Sequence, residues 1–152
     1  MGNVIKLFTS FNGRINRASW WLGVVAIVVL SVGGTLVLNP DYYSFEPGVV
    51  PNPNWAATIW GLLLVFPMTA ITVKRFNDRD WPHWLGYAYG LLAAVQVVGQ
   101  HFGFLAGPGI SITEAIGLII VVLVGLFVLI DNGFLRGTKG PNRYGPDPLQ
   151  ST

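Results

Sequence analysis

Three short stretches of the chain set arginine, aspartate and aromatic side chains close together. They are Phe11-Asn12-Gly13-Arg14-Ile15-Asn16-Arg17, Lys74-Arg75-Phe76-Asn77-Asp78-Arg79-Asp80-Trp81-Pro82 and Gly140-Pro141-Asn142-Arg143-Tyr144-Gly145-Pro146-Asp147-Pro148. Guanidinium groups fork onto phosphates and carboxylates, and tryptophan and phenylalanine anchor beside such groups at a membrane surface. The candidate site is therefore Arg14, Arg17, Arg75, Asp78, Arg79, Trp81, Trp84, Asn142, Tyr144 and Asp147. Its expected chemistry is the holding of anionic lipid headgroups, or the docking of a membrane-protein partner, with Asp78 and Asp147 orienting the arginines. Two readings compete with this one. Arg–Asp pairs can simply knit helices together, or the cluster can serve a carrier or enzyme acting on a small anion at the cytosolic face. Catalysis asks for a nucleophile with its base, or for carboxylates bare of cations. Every aspartate in these stretches has an arginine or lysine within a few residues, so no catalytic residue is assigned.

Other chemistries find no residues to carry them. The chain has no cysteine, which excludes disulfides and thiolate chemistry. Its two histidines, His83 and His101, fall at opposite ends of one apolar stretch and cannot share a metal. Gly137-Thr138-Lys139-Gly140 lacks the order of a phosphate-binding loop and a preceding strand. The scattered arginines do not form a basic, aromatic-studded face for nucleic acid. No metal and no cofactor is expected.

The elements that must position the cluster are membrane helices. The chain is 52% hydrophobic and 11% charged, with a mean hydropathy of +0.55, whereas soluble domains are about a quarter charged. Apolar runs predict spans at about 20–38, 55–73, 82–105 and 112–130. The first, at about 1.5 Å per residue, reaches about 28 Å, close to the hydrocarbon thickness. All nine lysines and arginines lie before the first span, between the second and third, or after the fourth. The loops around 39–54 and 106–114 hold only Asp41, Glu46 and Glu114. Basic residues stay on the cytoplasmic side, so the pattern predicts an all-α, polytopic integral membrane protein with four transmembrane helices and both termini cytoplasmic. Residues 1–152 form a single membrane domain, with a cytosolic leader over 1–19 and a cytosolic tail over 131–152. The cytosolic surface carries nine cations against four aspartates, a net +5, which suits an anionic inner leaflet.

Finer expectations follow. Val4, Leu7, Phe8, Phe11 and Ile15 are spaced either for a short interfacial helix, which Gly13 breaks, or as part of an ordinary basic leader, and Asn16 caps the next helix. No small-x-small cleavage site follows the first span, which reads as a retained anchor. Pro40, Pro47, Pro51 and Pro53 make the first outer loop irregular, and Pro67 kinks the second span. Gly86-x-x-x-Gly90 and Gly99-x-x-x-Gly103 permit close helix approach. Trp20, Trp21, Trp55, Trp81 and Trp84 suit an aromatic belt. Gln96 and Gln100 either bond a neighbouring helix or line a small polar path. Asp131, at the negative pole of the last helix, needs a cation, with Arg136 or the Lys74-Arg75 pair in reach. The tail, rich in proline and glycine, folds back as successive turns.

The chain resembles the small bacterial inner-membrane proteins of the DUF805 family. Three pieces carry the resemblance: Gly13-Arg14-Ile15-Asn16-Arg17 before Trp20-Trp21; Lys74-Arg75-x-x-Asp78 before Trp81 and Trp84; and Asn142-x-Tyr144-Gly145-Pro146-Asp147-Pro148. It covers nearly the whole chain in order and implies a multi-pass protein of the bacterial cytoplasmic membrane. The family usually has histidine just before the aspartate, where this chain has Asn77. Membrane lipids, a second copy of the chain or another membrane protein are the expected partners.

Overall fold

A computed structural model describes residues 2–43, 54–104 and 111–150. These form five α-helices: α1 (Gly2–Thr9), α2 (Arg17–Leu38), α3 (Trp55–Asp78), α4 (Trp84–His101) and α5 (Ile112–Val128), which runs on into a π-helical turn, Leu129–Phe134. Among the described residues the one β pairing is a bridge between Asn142 and Gly145. Pro47, Pro51, Pro53 and Glu46 of the expected outer loop, and Leu105 at the expected end of the third span, lie outside the described residues. Pro40 opens a single 3-10 turn, Pro40–Tyr43.

Local sequence explains the helix ends. Asn16 accepts from the Ser19 N–H at 2.9 Å and Asn54 from Ala57 at 2.8 Å, so both asparagines are N-caps. Ser111 and Glu114 form a capping box at the start of α5. Gly13 sits at φ +89°, a left-handed conformation that separates α1 from α2. Pro67 lies inside α3.

Helix α3 is central. A Cβ on Gly23 would stand 3.0 Å from Ile71, and one on Gly34 would overlap the Trp60 indole, so α2 lies antiparallel along α3 at close range. On the other side α4 runs antiparallel as well. A Cβ on Gly86 would meet the Val73 Cα at 2.8 Å, one on Gly90 would meet Thr69, and one on Gly61 would meet Val97 at 3.1 Å. The Gly86-x-x-x-Gly90 spacing thus does bring helices together. Gly103 instead turns the chain after α4 at φ +86°. Trp20, Ile27, Ile71, Phe76 and Val128 form the buried core, at the end of α3 that carries the charged residues. Outward faces remain apolar, with Leu22, Val37, Leu91 and Ile112 among the exposed side chains.

Three helical stretches are long and apolar enough to cross a membrane: Arg17–Leu38, Trp55–Asp78 and Ile112–Phe134. Helix α4 is not among them. It is 18 residues long and includes Tyr87, Tyr89, Gln96, Gln100 and His101, which lower its apolarity. One expectation is overturned. Trp20 does not join an interfacial belt but is 1% exposed within the core, because α1, α3 and the π turn close over the start of α2.

Candidate functional site

The last turns of α3 are its most buried part: Ile71 through Asp78 are all buried, including Lys74, Arg75, Asn77 and Asp78. A charge held in such a place needs partners, and Lys74, Arg75 and Asp78 each have them. The Lys74 ammonium donates to the carbonyls of Lys6, at 2.8 Å, and Leu7. These belong to the last turn of α1, so a cation neutralises that helix's negative pole.

Asp78 is the centre of the remaining contacts. Its Oδ1 accepts from Arg14 Nε at 3.0 Å and lies 2.9 Å from Nη2 in the same ion pair, and its Oδ2 accepts from Arg75 Nη1. Arg14 reaches further: Nη1 donates to Gly140 O at 2.8 Å and Gly145 O at 3.2 Å, and Nη2 to Thr138 O at 2.8 Å. The three guanidinium nitrogens thereby make four hydrogen bonds, and the side chain is 1% exposed. The tail answers on the backbone of α3. Thr138 donates its N–H to Asp78 O at 2.8 Å, and Asn142 Nδ2 donates to Asn77 O at 2.9 Å. The tail lies so close that a Cβ on Gly137 would overlap the Asp78 carboxylate. The Gly137-Thr138-Lys139-Gly140 stretch is thus a packing segment.

The end of the last helix is built the same way. The final carbonyls of a helix lack intrahelical partners. Here three of them and the two carbonyls just beyond each accept from a side chain: Asn132 from Arg75 Nε at 2.7 Å, Gly133 from Trp21 at 3.2 Å, Phe134 from Arg17 at 2.9 Å, then Leu135 from Arg75 Nη2 and Arg136 from Arg79. Asp131, within the π turn, is paired with Arg79 at 3.2 Å and accepts from Trp81 Nε1 at 3.2 Å. This corrects the expectation that Arg136 or the Lys74-Arg75 pair would face it. Lys74 is turned to α1 and Arg75 to the helix-end carbonyls, which leaves Arg79, just past α3, opposite the carboxylate. The Asn132 side chain is fully buried, and neither of its polar atoms has a partner.

Tyr144 and Asp147 do not hold arginines by hydrogen bonds. The Tyr144 hydroxyl donates to Trp81 O at 2.8 Å. Asp147 accepts from the Gly140 and Leu149 N–H groups, each at 3.0 Å, and so shapes the tail turn. Those bonds, Leu149's first and Gly140's second, hold its carboxyl below the ordinary range. Arg143 pairs with Asp80 at 3.1 Å and covers the Tyr144 ring. Trp81 and Trp84 are exposed at 39% and 60%.

The structure therefore brings Arg14, Arg75, Asp78, Asn142 and the tail into one buried knot, with Arg79 and Asp131 beside it. Lys74, Asn77, Asn132, Gly137 and Thr138 belong to it too and were missed. For Lys74 and Asn77 the signal was present, as polar residues continuing an otherwise buried helical run. The carbonyl partners leave no trace in side-chain identity. Every cation of the knot faces a carboxylate or carbonyl, and no aspartate of the cluster is left without a donor.

The chain matches the family described as Protein of unknown function (DUF805) over residues 8–146. It is similar to the uncharacterised protein YiiR of Escherichia coli, 28% identical over 143 residues covering 91% of this chain and 85% of the relative. The inner membrane protein YhaH of Escherichia coli is 25% identical over 145 residues, 95% of this chain and 92% of the relative. No solved structure matches at a significant level. By the span of the family match, the chain belongs to the DUF805 family of proteins of unknown function.

Proposed function

We propose that this chain is a four-span protein of the bacterial inner membrane, both termini cytosolic, whose rim of exposed cations holds anionic lipid headgroups. The similarity to YhaH supports the location. Two features support a fourth span. Helix α4 lies along α3 from Gly86 beside Val73 to His101 bonded to Thr58, so it is coextensive with a helix apolar enough to cross. The cations fall only in segments that four spans place inside.

One observation carries the lipid reading. Of nine lysines and arginines, Arg14, Lys74, Arg75, Arg79 and Arg143 are bound within the knot or to its neighbours. Lys6, Arg17, Arg136 and Lys139 are exposed. Among the described residues the side chains of Lys6, Arg136 and Lys139 make no hydrogen bond or ion pair, and Arg17 makes one, to Phe134 O. Exposed Phe134, Leu135 and Trp84 belong to the same cytosolic end. Each such cation is worth about 1 kcal/mol near an anionic surface. The knot is the frame that holds this rim in place, and its paired aspartates leave no base for catalysis.

The test is reconstitution into nanodiscs of mixed phosphatidylglycerol and neutral lipid. The expected result is enrichment of phosphatidylglycerol around the protein, lost when Lys6, Arg17, Arg136 and Lys139 are changed together to glutamine. Equal lipid composition in the two would overturn the reading and leave the rim as a protein-docking surface.

A further inference from the structure

The opposite end of the bundle holds a second arrangement, built without charge. Between α2, α3 and α4 lies a cavity of about 220 Å³ whose polar lining is Ser31, Thr35, Tyr42, Thr58 and Gln100. Among the described residues no Asp, Glu, Lys or Arg lines it. Thr58 is fixed: its hydroxyl bonds Asn54 O at 3.1 Å and His101 Nδ1 at 2.8 Å, and the His101 ring lies over Trp55 with centroids 3.8 Å apart. Ser31, Thr35 and Gln100 differ. Among the described residues their side chains make no hydrogen bond. A hydroxyl on a membrane helix ordinarily turns back onto its own backbone, as Thr69 does onto Val65 O at 2.7 Å. All three are half-buried at the cavity wall, where a ligand can take the bonds that no protein group makes.

We propose that this cavity binds the uncharged, hydroxyl-rich part of a small molecule: a glycerol-like polyol, free or as the headgroup of a neutral lipid. The lining offers nothing to compensate a desolvated ion. Hydroxyl and amide groups both donate and accept, which matches a ligand whose own hydroxyls do the same. The space holds about seven waters at roughly 30 Å³ each, or one small solute in their place. Gln96, one turn earlier on α4, is the internal contrast. It lines a separate cavity of about 190 Å³, facing Leu92, Val95, Phe104 and Ile120, with almost no polar surface. The four-span reading puts the polar cavity at the outer side of the membrane. The binding itself does not depend on that reading.

The experiment uses the purified full chain in detergent and two probes. Glycerol is followed by saturation-transfer NMR, and monoolein by retention in native mass spectrometry. At least one probe should bind saturably, and the affinity should fall at least fivefold in Gln100→Leu and in Ser31→Ala/Thr35→Val. Gln96→Leu should bind as the wild type does. Circular dichroism identifies a variant that has lost its helices, and the two independent lining variants mean that one misfolded protein does not decide the matter. Saturable glycerol binding marks a free polyol as the ligand, and monoolein binding alone marks a lipid headgroup. Absence of saturable binding by both probes, or equal binding in the lining variants, overturns the proposal and leaves the cavity to water.

Discussion

Arg14 and Asp78, 64 residues apart, are joined by an Nε hydrogen bond at 3.0 Å and an ion-pair approach of Nη2 to 2.9 Å, in a place where both side chains are almost wholly buried. Arg75 shares the same carboxylate, so one aspartate compensates two cations. Removing one member of a buried ion pair costs about 3–5 kcal/mol, because the partner charge is left uncompensated. Asp78→Asn is therefore expected to destabilise the protein by about that amount, measured as thermal unfolding in detergent. Arg14→Lys should keep the charge yet loosen the tail, since an ammonium has three donors where the guanidinium has five. Limited proteolysis near Thr138 reads that loosening. Wild-type stability in Asp78→Asn would mean that the knot is not a structural centre.

Gly137 is required by contact. Its missing side chain makes room for the Asp78 carboxylate, which a Cβ would overlap. Gly137→Ala should cost about 1–3 kcal/mol, the range for an overpacked site. Gly125, in α5, has open space where its Cβ would be, so Gly125→Ala should be neutral or slightly stabilising through helix propensity. Equal thermal midpoints for the two variants would contradict the packing of the tail against Asp78.

Acid should release the tail turn. Asp147 is depressed below its ordinary value of 3.8, chiefly by the Leu149 N–H and then the Gly140 N–H. A group whose folded pKa is depressed contributes stability that is present above the unfolded value and lost as pH falls through the folded one. Hydrogen exchange at the Gly140 and Leu149 amides should therefore be protected at pH 5 and lose protection below about pH 3.8. In Asp147→Asn that pH dependence should disappear. A wild-type exchange profile that stays flat through this window would remove the carboxylate from the account.

Much of this was legible in the residues, for local reasons. Asn16 and Gly13 act at the positions where they stand, and the four apolar runs fall on α2, α3, α4 and α5 without any knowledge of their neighbours. The Arg14–Asp78–Arg75 grouping was visible as residue types, but its purpose was not. What the arginines hold is largely backbone carbonyl, at Gly140, Gly145, Thr138, Asn132 and Leu135, and a carbonyl has no letter in a sequence. Trp20 at a span end reads as an interfacial anchor until α1, α3 and the π turn are placed around it. Helix α4 shows the converse. Its apolar run predicts a span over 82–105, but its glutamines and tyrosines lower its apolarity, and it is not among the three helices apolar enough to cross.

The lack of cysteine allows the topology to be read cleanly, because each introduced thiol is the only one present. The measurement is labelling of single-cysteine variants by a membrane-impermeant maleimide in intact and permeabilised spheroplasts. Asp41→Cys and Phe102→Cys should react in intact spheroplasts, whereas Asn12→Cys and Lys139→Cys should react only after permeabilisation. Phe102 decides the matter, since it ends α4 and is exposed in the structure. A protected Phe102→Cys together with a reactive Lys139→Cys would show three crossings, put the tail and its cations outside, and contradict the cytosolic rim.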